Sequence, residues 1–183
     1  MILLFAVISG LLVGISRAWI NKRSYKFISL KGVWLVFAAF LPQFMAFNFT
    51  ASRSWIQDTW IPPLLFASQL MLLIFAWLNR KQAGFWLLGL GLLSNMLVIG
   101  LNGGMMPISP ETARRLIEPN TNVDLQTGQR LGFSKDVLLA VEDTRLAFLS
   151  DRFTLPDGFP FQAAFSLGDI LIGIGAFWLF WSL

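Results

Sequence analysis

Four apolar segments of this chain each place an amide or carboxyl side chain, which could form hydrogen bonds or hold a proton, at a similar depth. These side chains belong to Gln43, Gln69, Asn95 and Asp169. At a helical rise of about 1.5 Å per residue, each lies about 10–12 Å from the outer end of its predicted helix. We therefore expect a buried polar layer that draws one residue from each of four helices.

Asp169 is the one charged residue deep within a predicted helix, and it has two interpretations. Hydrogen bonds between such side chains hold helices together, each contributing about 1 kcal/mol. Alternatively, a carboxylate in apolar surroundings, with no basic partner at its depth, marks a site for a substrate, an ion or a proton. The sequence leaves both interpretations open.

The spacing of these residues predicts which helices meet at the layer. Gln162, Ser166 and Asp169 recur at intervals of three and four residues, so they share one face of the last helix. Asn95 and Asn102 lie on a similar face of the fourth helix, which also carries glycines. Because small residues allow two helices to approach closely, we expect Asn95 to lie next to Asp169.

The chain contains no cysteine and no histidine. Thiol nucleophiles, Cys/His zinc sites, imidazole bases and His-ligated haem are thereby excluded. Phosphate-binding and dinucleotide-binding glycine motifs are also absent. We predict no metal, no cofactor and no catalytic residue, and lean against an enzyme.

Composition identifies the broad class of protein. Hydrophobic residues make up 56% of the 183 residues and charged residues 13%, and the mean hydropathy is +0.66. Too little polar surface remains to cover a soluble globule. We predict an all-α polytopic membrane protein, a single membrane domain over residues 1–183 with about five spans. The predicted spans are residues 1–20, 32–49, 61–78, 84–101 and 161–183.

The charged residues predict the orientation. Arg17, Lys22, Arg23, Lys26 and Lys31 form the densest basic cluster of the chain, and basic loops stay in the cytoplasm. The N-terminus is then outside and the C-terminus inside, in a bacterial cytoplasmic (inner) membrane. A large polar loop, residues 102–160, is predicted to lie outside.

This loop is long enough to require structure of its own. Ser109 and Pro110 are typical of a helix start, and Pro119 would end that helix. A second short helix is predicted from Ser134 to about Phe148, with a partly apolar face.

A fixed turn is predicted where the fourth helix ends. Asn102, Gly103 and Gly104 follow the helix, and Pro107 prevents it from resuming. Asn and Gly tolerate positive φ, so we expect a left-handed helix end with at least one glycine at positive φ.

The Asn-Gly-Gly-x-Met-Pro element (102–107), the polar loop and a last helix opened by Gly168-Asp169 together resemble a small bacterial membrane family of unknown function. The resemblance covers nearly the whole chain. It implies the membrane architecture and a prokaryotic setting, and it implies no activity.

The last helix, PFQAAFSLGDILIGIG, is also similar to a helix of bacterial lipoprotein signal peptidases. Those enzymes pair two carboxylates near the outer face of the membrane. A second acid and its Asn-x-x-Asp-Arg context are absent from every predicted span, and Asp151-Arg152 occurs only in the loop.

The expected function is therefore a non-enzymatic one. We expect an accessory subunit of an envelope complex, or a protein that binds a small or lipidic ligand in a polar cavity at the outer leaflet. The alternatives are a proton-coupled transporter that uses Asp169 and a membrane aspartyl hydrolase. The expected partners are membrane lipids, other membrane subunits or a second copy of the chain, with no nucleic acid.

Overall fold

A computed structural model of the chain describes residues 2–25, 29–48, 57–117, 125–132, 134–156, 158–159 and 162–181. The described residues form six α-helices: α1 (Ile2–Ile20), α2 (Trp34–Asn48), α3 (Ile61–Leu78), α4 (Gly84–Leu101), α5 (Pro110–Leu116) and α6 (Leu167–Trp181). They also form four short strands: β1 (Met106–Ile108), β2 (Asp136–Leu138), β3 (Phe153–Thr154) and β4 (Ala164–Phe165). The fold is mainly helical, with a small β component that the sequence did not reveal.

Among the described residues, three helical stretches are long and apolar enough to cross a membrane. They are Leu3–Ile20, Asp58–Leu78 and Gly84–Leu101. The apolar helices Trp34–Asn48 and Leu167–Trp181 are shorter. These lengths and compositions are compatible with a membrane protein.

The five apolar helices lie side by side in the order α2, α3, α4, α6, α1. Thus α6, the last helix of the chain, packs between α4 and α1. The main apolar core is formed by Leu35, Phe75, Ala76, Phe85, Leu92 and Leu179. T-shaped packing of the Phe75 and Phe85 rings, 5.4 Å apart, joins α3 to α4 in this core.

Glycines set the close approach of α4 and α6. A Cβ atom on Gly84 would lie 2.6 Å from the carbonyl oxygen of Gly175, and one on Gly168 would lie 2.7 Å from that of Gly91. Backbones this close leave no room for side chains. The prediction that the small-residue faces of these two helices meet is confirmed.

Glycines also bring α1 against the other side of α6. A Cβ atom on Gly10 would lie 2.8 Å from the carbonyl oxygen of Phe177, and Gly14 packs against Phe180. Just beyond α1, the Tyr25 hydroxyl donates a hydrogen bond of 2.9 Å to the carbonyl oxygen of Phe180.

The segment between α4 and α6, which we call the cap, contains one of the two predicted short helices. Ser109 caps α5, since its hydroxyl accepts a hydrogen bond of 3.1 Å from the Thr112 amide. The helix ends at Leu116, and Pro119 lies outside the described residues.

The prediction of a second short helix, from Ser134 to about Phe148, is wrong. Asp136–Leu138 form β2, which pairs in parallel with β1. Both strands are largely buried, and Ile108 and Leu138 pack with Ala113 of α5 in the core of the cap. This tertiary pairing outweighs the local helical pattern.

The prediction that the last helix begins at residue 161 is also wrong. Ala164 and Phe165 pair with β3 instead of joining the helix. Ser166 then caps α6, since its hydroxyl accepts a 3.0 Å hydrogen bond from the Asp169 amide, while the Asp169 carboxylate accepts one of 3.2 Å from the Ser166 amide. This reciprocal capping box fixes the helix start at Leu167.

Candidate functional site

Asn95, Ser166 and Asp169 form a polar triad where α4 meets α6. The Asn95 amide group donates a hydrogen bond of 2.8 Å to Asp169 Oδ1. The Ser166 hydroxyl donates one of 2.9 Å to Asn95 Oδ1. Asn95 and Ser166 are buried, and Asp169 is half-buried. The structure thus brings Asn95 and Asp169 together, as their helical phase predicted.

The position of Asp169 within its own helix differs from the prediction. Asp169 lies in the first turn of α6, not in the middle of a longer helix. Since its side chain bonds to Asn95, which lies six residues before the end of α4, Asp169 is about 9 Å from that end at 1.5 Å per residue. Gln162, predicted on the same helical face, is exposed and precedes the helix.

The two glutamines of the predicted layer do not join the triad. Among the described residues, no hydrogen bond links Gln43 or Gln69 to Asp169. Gln43 is half-buried on α2, and the buried Oε1 of Gln69 on α3 has no hydrogen-bond partner in the described part of the chain. The layer therefore reduces to α4 and α6.

A second charged cluster lies in the cap. Lys135 Nζ is 2.6 Å from Asp151 Oδ2 and 3.5 Å from Asp136 Oδ1. The Asp151 side chain is 1% exposed. Its Oδ1 atom is buried and has no hydrogen-bond partner within the described residues.

Burial and neighbouring charge shift the titration of this cluster. Burial raises the pKa of Asp151 to about 7, opposed by the charge of Lys135 and assisted by those of Asp136 and Asp169. Burial alone would lower the pKa of Lys135, but the charges of Asp151, Asp136 and Asp169 together raise it above its ordinary value. Asp169 of the triad is thus one of the charges that act on the cap cluster.

The residues of the predicted turn position the cap. Gly103 and Gly104 have φ of 79° and 85°, and the Gly104 amide donates a 2.8 Å hydrogen bond to the Ile99 carbonyl. This is the left-handed helix end that the sequence predicted. A Cβ on Gly104, unlike one on Gly103, would collide with Pro62 at the start of α3.

Asn102 holds the cap to the end of α4 and does not contact the triad. Its amide group donates a 2.8 Å hydrogen bond to the Arg145 carbonyl, and its Oδ1 accepts one of 2.9 Å from the Arg145 amide. Pro107 is buried in β1, where its carbonyl accepts a 3.1 Å hydrogen bond from the Asp151 amide. These bonds place Asp151 next to the helix ends.

An apolar cavity of about 580 Å³ lies on the opposite side of α6, between α6 and α1. Its lining residues are Phe5, Ala6, Ser9, Leu155, Phe159, Ala163, Phe165, Ile170, Gly173, Ile174 and Phe177. Ser9 is the only polar residue among them, and its hydroxyl donates to the Phe5 carbonyl of its own helix at 2.6 Å. The volume is typical of ligand cavities.

The chain was then compared with known proteins. Residues 27–181 match the model of a family of unknown function, DUF5317. The chain belongs to this family. No curated protein and no solved structure matches it. Membership in DUF5317 agrees with the predicted resemblance to an uncharacterised family and assigns no activity.

In this DUF5317 protein, sequence reasoning missed Lys135, Asp136 and Asp151. The sequence shows only that Lys135 and Asp136 are adjacent and that Asp151 follows 16 residues after Lys135. Charged side chains in such a polar loop are ordinarily solvated. Only the β1–β2 pairing shows that these charges are buried. Within the described residues, no group of three or more acidic side chains could hold a metal ion.

Proposed function

We propose that this protein binds the apolar chain of a membrane lipid in the cavity between α1 and α6. The observation that carries the proposal is the apolar lining of a space of about 580 Å³ between two apolar helices, to which the cap contributes Leu155, Phe159, Ala163 and Phe165. Burying a methylene group in such a space contributes about 0.8 kcal/mol. The expected polar cavity is thereby replaced by an apolar one.

The proposal includes five spans with the cap outside the bacterial cytoplasmic membrane. The loop that contains Lys31 and the loop that contains Arg80 lie at one end of the helices, because the Asn79 side chain bonds to both backbone groups of Lys31 at 2.9 Å. The acidic cap lies at the other end. This charge distribution supports a cytoplasmic C-terminus. The cavity then opens into the outer leaflet.

Cysteine labelling tests this orientation, because the chain has no natural cysteine. A cysteine at Thr127 in the cap should react with an impermeant reagent in intact cells, and one at Lys81 only after lysis. The reverse pattern would place the cavity in the inner leaflet.

Lipid binding is tested by native mass spectrometry of protein purified in mild detergent. Wild-type protein should retain a lipid that Ala163→Trp excludes, since a large ring would fill the cavity. Leu4→Trp is the matched control: Leu4 is on α1, 57% exposed and outside the cavity lining. Equal lipid retention by wild type and Ala163→Trp would refute the proposal.

A second candidate function is a proton-coupled process that uses Asp151, Lys135 and Asp169. It is favoured by one observation: the cap supplies a buried second acid near Asp169, which no predicted span contained. Asp151, with its pKa of about 7, can exchange a proton under physiological conditions. Reconstituted vesicles in which Asp169→Asn protein folds but no longer moves protons would support this function, and unchanged proton movement would exclude it.

A further inference from the structure

We propose that Arg152 binds the phosphate of an anionic lipid whose chain occupies the apolar cavity. The inference rests on the proposed function and extends it from the chain to the headgroup of the ligand. It is carried by a continuous row of three side chains that runs from the cavity to a guanidinium group.

The row begins in the wall of the cavity. Phe165 of β4 lines the cavity, and its ring stacks on that of Phe153 in β3 with 5.7 Å between centroids. The Arg152 guanidinium carbon lies 5.8 Å from the centroid of the Phe153 ring. The positive charge is therefore held beside the aromatic edge of the cavity.

The β3–β4 pairing explains why this arrangement is fixed. The Arg152 amide donates a 3.3 Å hydrogen bond to the Phe165 carbonyl, and the Leu155 amide donates one of 3.3 Å to that of Ala163. Leu155, Ala163 and Phe165 all line the cavity. Arg152 thus belongs to the same two-stranded wall that closes the cavity.

The guanidinium of Arg152 is available for an anion. Its side chain is exposed, and among the described residues no carboxylate lies within ion-pair distance of it. A guanidinium offers a planar set of donors that suits phosphate. Two other cationic side chains of the cap are engaged: Lys135 contacts Asp151, and Arg115 contacts Glu111 at 2.8 Å.

A polar pocket of about 250 Å³ gives the headgroup a place beside Arg152. It is lined by Ser109, Glu111, Thr112, Arg115, Val141, Thr144, Ala147, Ser150 and Arg152. Two arginines against one glutamate make the charge of this lining positive. An amphiphile with an anionic head and an apolar chain matches a polar pocket and an apolar cavity that are lined by neighbouring residues of the β3–β4 pair.

Native mass spectrometry with three synthetic lipids of identical chains tests the inference. The probes are phosphatidylglycerol, phosphatidylcholine and diacylglycerol, titrated onto delipidated full-length protein. Wild-type protein should bind phosphatidylglycerol roughly tenfold more tightly than diacylglycerol, the effect of one charge-assisted contact. Arg152→Gln should abolish this preference and leave diacylglycerol binding unchanged. Arg152→Lys should retain part of it.

The controls separate the headgroup from the chain. Arg114→Gln removes an exposed charge from the same cap but outside the pocket lining, and it should preserve the preference. If Arg114→Gln and Arg152→Gln lost the preference for phosphatidylglycerol equally, the inference would be overturned. Equal binding of phosphatidylglycerol and diacylglycerol by wild type would also overturn it, but the binding of the lipid chain in the cavity would then stand. Failure of all three lipids to bind would refute the proposed function itself.

Inorganic phosphate distinguishes a lipid headgroup from a free anion. At millimolar concentration it should not displace phosphatidylglycerol, because it lacks the chain contacts. Complete displacement would show that the site takes a free phosphate, and the lipid assignment would be wrong.

Discussion

The two sides of α6 differ in how tightly they are packed. Towards α4, Gly91 and Gly168 allow backbone contact, and Asn95 bonds to both Ser166 and Asp169. Towards α1, contact is concentrated at Gly10 and Gly14, and beyond them the helices separate around a cavity of about 580 Å³. One helix therefore has a closed face and an open face.

This difference assigns separate roles to the two faces. The α4 face is filled by backbone and by side chains that satisfy one another, so it fixes α6 and the cap in place. The α1 face leaves apolar volume that the described chain does not fill. Because Phe165 lines the cavity and the adjacent Ser166 belongs to the triad, a short segment joins the two faces.

Replacing a glycine on the closed face should have the largest effect. A Cβ on Gly168 would collide with the Asn95 side chain and lie 2.7 Å from the Gly91 carbonyl oxygen. Gly168→Ala should therefore reduce the free energy of unfolding by about 3 kcal/mol, as overpacking does. Thermal unfolding in detergent measures the loss.

Gly89→Ala is the matched control on α4. Its added Cβ would lie 3.7 Å from Ala76, an ordinary contact, and alanine favours a helix over glycine. We expect an unchanged or slightly higher melting temperature. Similar losses in both variants would show that the α4 face is not closed.

Removing the positive charge from the cap cluster should have the next largest effect. Lys135→Met leaves the buried Asp151 without its 2.6 Å partner, and an unpaired buried charge is costly. Since Lys135 is partly exposed, we expect a loss of about 2 kcal/mol. Adding Asp151→Leu to Lys135→Met should recover stability, and a further loss would argue against a buried ion pair.

Alanine substitutions at the two glycines of the turn should differ in their loss of stability, by a smaller amount. Both have positive φ, so Gly103→Ala and Gly104→Ala each incur about 1 kcal/mol of backbone strain. Gly104→Ala should lose about 1–2 kcal/mol more, because its Cβ also meets Pro62. Equal melting temperatures would show that the cap does not press against α3.

The stability of the protein should also depend on pH through the buried acid of the cap. Burial raises the pKa of Asp151 from 3.8 to about 7, so between these values the folded protein holds a proton that the unfolded chain has released. This contribution to stability is full below pH 4 and is lost as the pH rises to about 7. The difference between the melting temperatures of wild type and Asp151→Asn, wild type minus variant, should fall over this pH range. A difference that does not change with pH would contradict the raised pKa of Asp151.

The sequence predicted the parts of this fold that depend on local pattern. Apolar length located α1 to α4, glycine spacing indicated the α4–α6 contact, and Asn102-Gly103-Gly104 indicated the left-handed turn. Ser109-Pro110 marked the start of α5. The signal for each of these features lies in residues close together within one helix or turn, even where, as for α4 and α6, the contact itself joins distant parts of the chain.

The features that the sequence did not reveal depend on distant pairing. Pairing of β4 with β3 delays α6 to Leu167, and pairing of β2 with β1 buries Lys135. Neither strand exceeds three residues, too short for an alternating pattern to be recognised. The cavity could not be predicted either, because its lining combines α1, α6 and the β3–β4 wall.

An experimental structure of the protein in nanodiscs made with a chain-brominated lipid would test the central claim most directly. Bromine scatters strongly enough to mark the position of a lipid chain. Lipid binding predicts bromine density inside the cavity, next to Phe5, Ile170 and Phe177. Bromine density confined to the outer surface of the helices, with the cavity closed by protein side chains, would contradict it.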